Sequence, residues 1–364
     1  MARIIHCITT IERGGAENQL LILVEEQIKN GHDVTIIYLN GQAELVSEFV
    51  KLGAKVSDLV AKKNPLIQLV ILNRYLKKYS CILHAHLPRA ELICALTKHR
   101  NTLIITKHNA EKFFPGSPPF VSRFFSRLVM RKANRCICIS TSVLNYLFLQ
   151  KEIISSDKYA VIYYGISDDL VESALEFNHD LKLHSLKYFG TIGRIVPQKD
   201  YPTLLKSFSK YNVQNNEPKL LVVGDGILKN DMEALANQLR IDSSVIWLGK
   251  LSSSYDLLIN IDLFLLSSKY EGFGLVLLEA MAVNTPIIAA GNPAVLEVLG
   301  EEYPGLFIPG DENSLYDQMI KSSSIEYRTS LVFAAQNRLK LFKSSLMYEK
   351  TNSLYNSAVY PDAL

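Results

Sequence analysis

Two glutamates, Glu271 and Glu279, bracket the stretch EGFGLVLLE. Glu279 stands between Leu278 and Ala280, and a carboxylate buried among aliphatics is costly without a partner. Sugar hydroxyls would supply one, because an ionised carboxylate accepts several hydrogen bonds. Between the two acids, Phe273, Gly274 and Leu275 fall where a loop turns into a helix. Amides at a helix start point outward and bind anions. Two structural readings stay open: Glu271 as an acid at the helix dipole, and Glu279 as half of a buried ion pair with a Lys or Arg elsewhere.

Cations that suit the same ligand lie upstream. GTIGRIVPQKD (190–200) follows a strand-like run and sets Arg194 and Lys199 across a turn containing Pro197, just after Gly193. Arg can grip a diphosphate with two parallel hydrogen bonds, and Lys acts as a point charge. Two solvated surface cations are the plainer alternative. LLVVGDGI (220–227) ends an apolar strand at Gly224, with Asp225 placed as a helix cap. ITTIERGGAE (8–17) puts Gly14 and Gly15 after the first strand, either to let a ligand reach the backbone or as a tight turn. The dinucleotide fingerprint G-x-G-x-x-G is absent there, which counts against a dehydrogenase. His108, in TKHNAEKF, ends another strand and on its own reads as a satisfied structural histidine.

These residues need a scaffold, and strand-like runs alternate with helical stretches along the chain. RIIHCIT (3–9), DVTIIYL (33–39), CILHAHL (81–87), TLIITKH (102–108), RCICIS (135–140) and YAVIYYG (159–165) read as strands of a first half. KYFGTIGRI, KLLVVGDG, SVIWLGK, DLFLLSS, TPIIAA and GLFIPG restart the pattern after YYGISDD. Such alternation predicts an α/β fold of two doubly wound domains, 1–165 and 166–342, with parallel sheets covered on both faces. Ligands of such sheets bind at the carboxyl ends of the strands. KSSLMYEKTNSLYNSAVY (343–360) reads as an amphipathic helix that either closes the second domain or crosses back to brace the first.

Composition narrows the classes. The 364 residues are 48% hydrophobic and 21% charged, the balance of a globular protein of about two domains. No stretch is apolar enough to span a membrane, and MARIIHCITT lacks the parts of a signal peptide, so a cytoplasmic location is expected. Five cysteines without a C-x-x-C pair argue against a disulfide framework or a zinc site. No D-x-D triplet occurs, so neither a carboxylate-held metal nor any other cofactor is expected.

The net charge of +3 hides an asymmetry: residues 1–164 hold 22 basic and 12 acidic side chains, and the remainder 17 and 24. A basic half suggests an anionic partner. PFVSRFFSRLVMRK (119–132) carries Arg123, Arg127 and Arg131 at helical spacing beside Phe120, Phe124 and Phe125. It could lie on anionic lipid through 119–135, or be an ordinary helix with its apolar side on the sheet. No nucleic-acid motif is present.

EGFGLVLLE resembles the E-x7-E motif of retaining glycosyltransferases of the GT-B fold, family 4 type (glycosyl transferases group 1). GGAE, GTIGRIVPQKD, VVGDG, WLG, EGFGLVLLEAMA and TPIIAA follow the family's order and spacing. The resemblance covers essentially the whole chain and is loosest over 40–160. It implies two Rossmann-like domains facing a cleft, acceptor on the first and donor on the second, with helix 343–360 crossing back. By resemblance Arg194 and Lys199 fall on the diphosphate positions, Glu271 on the donor sugar and Glu279 on the ribose. His108 matches a histidine that reaches the transferred sugar, the Gly14–Gly15 loop lies against the phosphates or the acceptor, and Gly193, Gly224 and the 273–275 amides complete the donor site.

The implied reaction moves a hexose or N-acetylhexosamine from a nucleotide-diphosphate sugar, most simply UDP-linked, to a glycan or lipid-linked acceptor of cell-surface polysaccharide or lipopolysaccharide synthesis. The family's proposed route is front-face attack with retention, the departing phosphate taking the acceptor's proton. Three departures stand out: YYGIS at the linker, NPAVLEVLG without paired glycines, and Asp200 where Gly is frequent. A sugar-nucleotide epimerase of the same fold needs no acceptor. A non-catalytic sugar-binding protein needs no diphosphate cations.

Overall fold

The computed structural model describes residues 2–98, 100–114, 116–153, 156–176, 186–214, 218–251 and 253–359. Strands β1 (Arg3–Ile8), β2 (Asp33–Tyr38), β3 (Lys55–Ser57), β4 (Ile82–His86), β5 (Thr102–Lys107), β6 (Arg135–Cys138) and β7 (Tyr159–Val161) form one sheet in the order β3-β2-β1-β4-β5-β6-β7. A second sheet holds β8 (Tyr188–Ile192), β9 (Lys219–Val223), β10 (Val245–Gly249), β11 (Leu263–Leu266), β12 (Ile287–Ala290) and β13 (Leu306–Phe307), ordered β10-β9-β8-β11-β12-β13. Neighbours pair in parallel throughout. Each order runs outward from its first strand and then reverses, the doubly wound topology.

The aliphatic runs form strands because both faces are covered: Ile4, Ile5, Cys7 and Ile8 are all buried, as are all four residues of β11 and of β12. Helix starts carry their own signals. Asn64 and Asn292 each cap a helix opening on proline, and Ser140 and Asp311 cap two more through their side-chain oxygens. Strand β3 has no counterpart among the strands read from the sequence, since three residues including a lysine and a serine make no periodic signal.

Two compact units result: Met1–Ser167 with Lys343–Leu364, and Asp168–Phe342. The last helix, Ser344–Val359, packs within the first unit. Its Tyr355 hydroxyl meets His84 Nδ1 at 2.7 Å, Tyr348 meets His32 Nε2 at 2.9 Å, and Ser344 donates to Glu26 at 2.9 Å.

A buried ion pair sits at the carboxyl end of β5. Lys107 Nζ lies 2.6 Å from Glu91 Oε2, with side-chain exposures of 8% and 1%, and 4.6 Å from the centre of the Phe113 ring. Removing one partner of such a pair strands a charge in the core. Glu91→Ala is expected to destabilise the protein by about 3–5 kcal/mol in urea unfolding, with Glu91→Leu/Lys107→Met recovering most of it.

Candidate active site

In the second unit, the ends of three adjacent strands are stitched backbone to backbone. Gly193 N–H donates to Val223 O and Ile195 N–H to Asp225 O, both at 2.9 Å, and Gly224 N–H to Gly249 O at 2.7 Å. Glycine is required at 224: φ is +139°, and a Cβ would lie 1.9 Å from the Gly193 carbonyl oxygen. At 193 a Cβ would lie 3.0 Å from Lys199 Cε, so the lysine stem crosses this bare backbone. Gly224→Ala is expected to cost at least about 2 kcal/mol and to shift the turn under Lys199, read as a lower unfolding midpoint together with loss of nucleotide binding. Asp225 is not the helix cap expected of it. Its Oδ1 accepts from Gly226 N–H at 2.8 Å, and the helix starts later, at Lys229 behind Leu228.

Lys199 reaches Glu271. Its Nζ lies 2.6 Å from Glu271 Oε1, with side-chain exposures of 16% and 7%. Three further bonds hold the two loops together: Ser267 Oγ to Lys199 O at 2.7 Å, Lys269 N–H to Gln198 O at 2.9 Å, and Gln198 Nε2 to Tyr270 O at 2.9 Å. Arg194 stands exposed on the same turn as Lys199. Asp200, in place of the usual glycine, takes the left-handed conformation (φ +48°) and accepts from Thr203 Oγ1 at 2.8 Å. Asp tolerates that conformation better than most residues.

The helix Leu275–Ala282 opens on Gly274 (φ +89°), and no side chain caps it. Glu271, three residues upstream, takes Lys199 as its partner. The amides of Gly274 and Leu275 have no acceptor among the described residues, which leaves a buried loop with N–H groups on offer. Glu279 is not in an ion pair among the described residues either. Burial raises its carboxyl above the ordinary range, with the Ser254 hydroxyl acting the other way.

Gly14, Gly15 and His108 belong to the first unit. Gly14 caps the helix Gly15–Lys29 in an extended conformation (φ −153°). Glu17 Oε2 lies 2.5 Å from where a Gly14 Cβ would be, and Glu17 Oε1 accepts from Thr10 Oγ1 at 2.6 Å. The loop thus folds over its own acid. His108 is 8% exposed and both ring nitrogens are engaged: Nε2 with His86 Nδ1 at 3.1 Å, Nδ1 with the Tyr164 hydroxyl. His6, His84 and His86 bring ring nitrogens within 4.8 Å of one another, close enough for a metal ion. Each of those nitrogens already faces a hydrogen-bonding partner. A small cavity of about 30 Å³ adjoins them, lined by Gln19, His84, His86, Thr106, His108 and Tyr164 among others.

The helix Pro119–Lys132 packs inward through small and aliphatic residues and leaves two phenylalanines outside. Ser122, Ser126, Val129 and Met130 are buried, while Phe120 and Phe124 are 73% and 64% exposed. Arg123 and Arg127 donate to the carbonyls of Gln150 and Lys151, both at 2.8 Å, beside exposed Phe148 and Leu149.

Family patterns match both halves of the chain. The pattern described as Glycosyltransferase Family 4 matches residues 13–170, and that described as Glycosyl transferases group 1 matches residues 175–337. The chain belongs to the group 1/family 4 glycosyltransferases. Among relatives of this glycosyltransferase, N-acetyl-alpha-D-glucosaminyl L-malate synthase of Bacillus anthracis is 27% identical over 77% of the chain and 76% of its own length. The Campylobacter jejuni enzyme named N-acetylgalactosamine-N,N'-diacetylbacillosaminyl-diphospho-undecaprenol 4-alpha-N-acetylgalactosaminyltransferase is 27% identical over 54% of the chain, and the match spans 52% of that enzyme. Anabaena HepE, solved with UDP and glucose, superposes with a TM-score of 0.81 at 17% identity, covering 98% of this chain and 100% of that one. That likeness shows the fold: two Rossmann-like α/β domains.

One feature of this glycosyltransferase escapes a reading of its sequence, the histidine cluster. The histidines do leave a signal, His-Ala-His at period two inside a strand, which puts both rings on one face.

Proposed function

We propose that this glycosyltransferase moves a hexose or N-acetylhexosamine, with retention and without a metal ion, from a UDP-linked sugar to a glycan or lipid-linked acceptor of cell-surface polysaccharide or lipopolysaccharide synthesis. One observation carries the reading: Lys199 and Glu271 stand 2.6 Å apart above the stacked glycine loops. A donor sugar and its β-phosphate share one bridging oxygen, so groups that hold the two must be neighbours. Charge grows on that phosphate as the glycosidic bond breaks, and Lys199, Arg194 and the amides of Phe273, Gly274 and Leu275 are the donors to meet it. Glu271 takes the sugar hydroxyls, and Glu279 takes the ribose. UDP in the Anabaena structure and the diphospho-undecaprenol in the Campylobacter relative's name support the donor and acceptor classes.

Exposed Phe120, Phe124, Phe148 and Leu149, with Arg131 and Lys132 nearby, support docking on anionic lipid at the inner face of the cytoplasmic membrane. No described helix is long and apolar enough to cross one.

Screening nucleotide sugars by thermal shift in EDTA tests the donor. One present at 100 times its dissociation constant adds about 2.7 kcal/mol of stability. Transfer to acceptor, followed by NMR of the new anomeric bond, then separates a retaining transferase from an epimerase or a binding protein. No donor-dependent shift, or an inverted product, would refute the proposal.

A further inference from the structure

Four buried histidines from three neighbouring strand ends make one directional network. The register explains their meeting: His6 on β1 lies opposite His84 on β4, and His86 lies opposite Thr106 on β5, two residues before His108. Gln27, on the helix packed over this face, begins the chain. His6 Nε2 meets Gln27 Oε1 at 2.8 Å, His6 Nδ1 meets His86 Nε2 at 3.0 Å, and His86 Nδ1 meets His108 Nε2 at 3.1 Å. The Tyr164 hydroxyl closes the chain on His108 Nδ1.

A neutral imidazole has one N–H and one lone pair, so each link fixes the next. With Gln27 Oε1 as acceptor, His6 carries its proton on Nε2. Its Nδ1 must then accept from His86 Nε2–H, whose Nδ1 accepts from His108 Nε2–H. His108 Nδ1 is left as a lone pair toward Tyr164. The Gln27 amide nitrogen faces the Tyr355 hydroxyl at 3.4 Å, and that hydroxyl can accept from it while donating to His84 Nδ1. His84 follows the same sense, between Tyr355 on Nδ1 and Thr106 on Nε2, both at 2.7 Å. Reversing one amide would reverse every link. The backbone is also strained here, for Leu87, next after His86, takes φ +71°.

We propose that Gln27, His6 and His86 are positioning residues that hold His108 as its Nε2–H tautomer, so that Nδ1 accepts a hydrogen bond and never donates one. This rests on the reading that His108 meets the transferred sugar. A sugar hydroxyl replacing Tyr164 there must then be the donor.

The test reads tautomers by 15N NMR of histidine-labelled full-length protein at pH 7.5, without substrate, so it stands or falls apart from the activity. Wild type and Gln27→Glu, whose carboxylate only accepts, should show His108 with a protonated Nε2 and an unprotonated Nδ1. Gln27→Met, which removes the orienting group, should give His108 averaged between tautomers and a changed kcat with little change in KM for donor. His86→Gln, which can both accept and donate, should restore the bias that His86→Leu loses. A His108 locked as Nε2–H in Gln27→Met and His86→Leu alike, or an Nδ1–H tautomer in the wild type, would overturn the assignment. If His86→Leu fails to fold, the near-isosteric Gln27 pair still decides.

Discussion

Lys199→Ala is expected to lower turnover by on the order of 10²-fold or more, because it removes a preorganised donor from a developing phosphate charge. The same change strands Glu271, which is 7% exposed and paired to Lys199 at 2.6 Å, so some loss of stability is expected with it. The double variant Lys199→Ala/Glu271→Gln separates the two effects. Neutralising the stranded acid should recover most of the unfolding midpoint and none of the turnover. Arg194→Ala, whose side chain is exposed, should lose a comparable factor in turnover. Turnover within a few-fold of wild type for either single variant would remove both cations from the mechanism. Donor saturation curves and urea melts on the same preparations supply both readouts.

Mild acid should unfold the protein through its histidines. Burial lowers His6 to about 4 and His108 to about 3, against an ordinary 6.5, and lowers His84 and His86 well below it. A depressed histidine means that the unfolded chain binds the proton more tightly than the native one. Its stabilising contribution is therefore complete above pH 6.5 and is lost progressively as pH falls toward the folded values. For His6 alone the full loss is on the order of 3 kcal/mol, at about 1.4 kcal/mol for each tenfold difference in proton affinity between the folded and unfolded chains. Glu17 and Glu279, raised by desolvation, act in the opposite sense: their contribution is present below 4.5 and fades as pH rises through their folded values. A variant isolates the histidine part. His6→Gln should show a stability-versus-pH slope between 6.5 and 4.5 shallower than wild type by about 1.4 kcal/mol per pH unit, the value for one proton. Parallel slopes would mean that His6 is not held neutral.

Much of the fold is legible in the sequence because its strands are buried on both faces. Ile287–Ala290 and Leu263–Leu266 leave no other reading of their aliphatic runs, and the strand–helix alternation then dictates parallel sheets. In the site, the residue types announce themselves while their partners do not. A lysine after a strand and a glutamate in a distant loop each look like half of something, and only the adjacency of β8 and β11 makes them one ion pair. For Glu279 the sequence offers ribose or a cation, and among the described residues no cation pairs with it. The helix Pro119–Lys132 shows the limit of periodicity. Its serines face inward and Phe120 and Phe124 outward, since close packing at Ser122 and Ser126 favours small side chains over apolar ones. His108 carries a similar lesson, because no single residue reveals a network whose members lie on three strands and a helix.

A nucleoside diphosphate held by the 190–200 turn together with the loop at Glu271 is what the proposed chemistry requires above all. Titration calorimetry of UDP, ADP and GDP into the wild-type protein and Lys199→Ala, all in EDTA, tests that most directly. One of the three nucleotides should bind the wild type one to one, and at least about tenfold more weakly when the lysine is gone. Equal affinity in both proteins, or binding only after a divalent metal is restored, would contradict it.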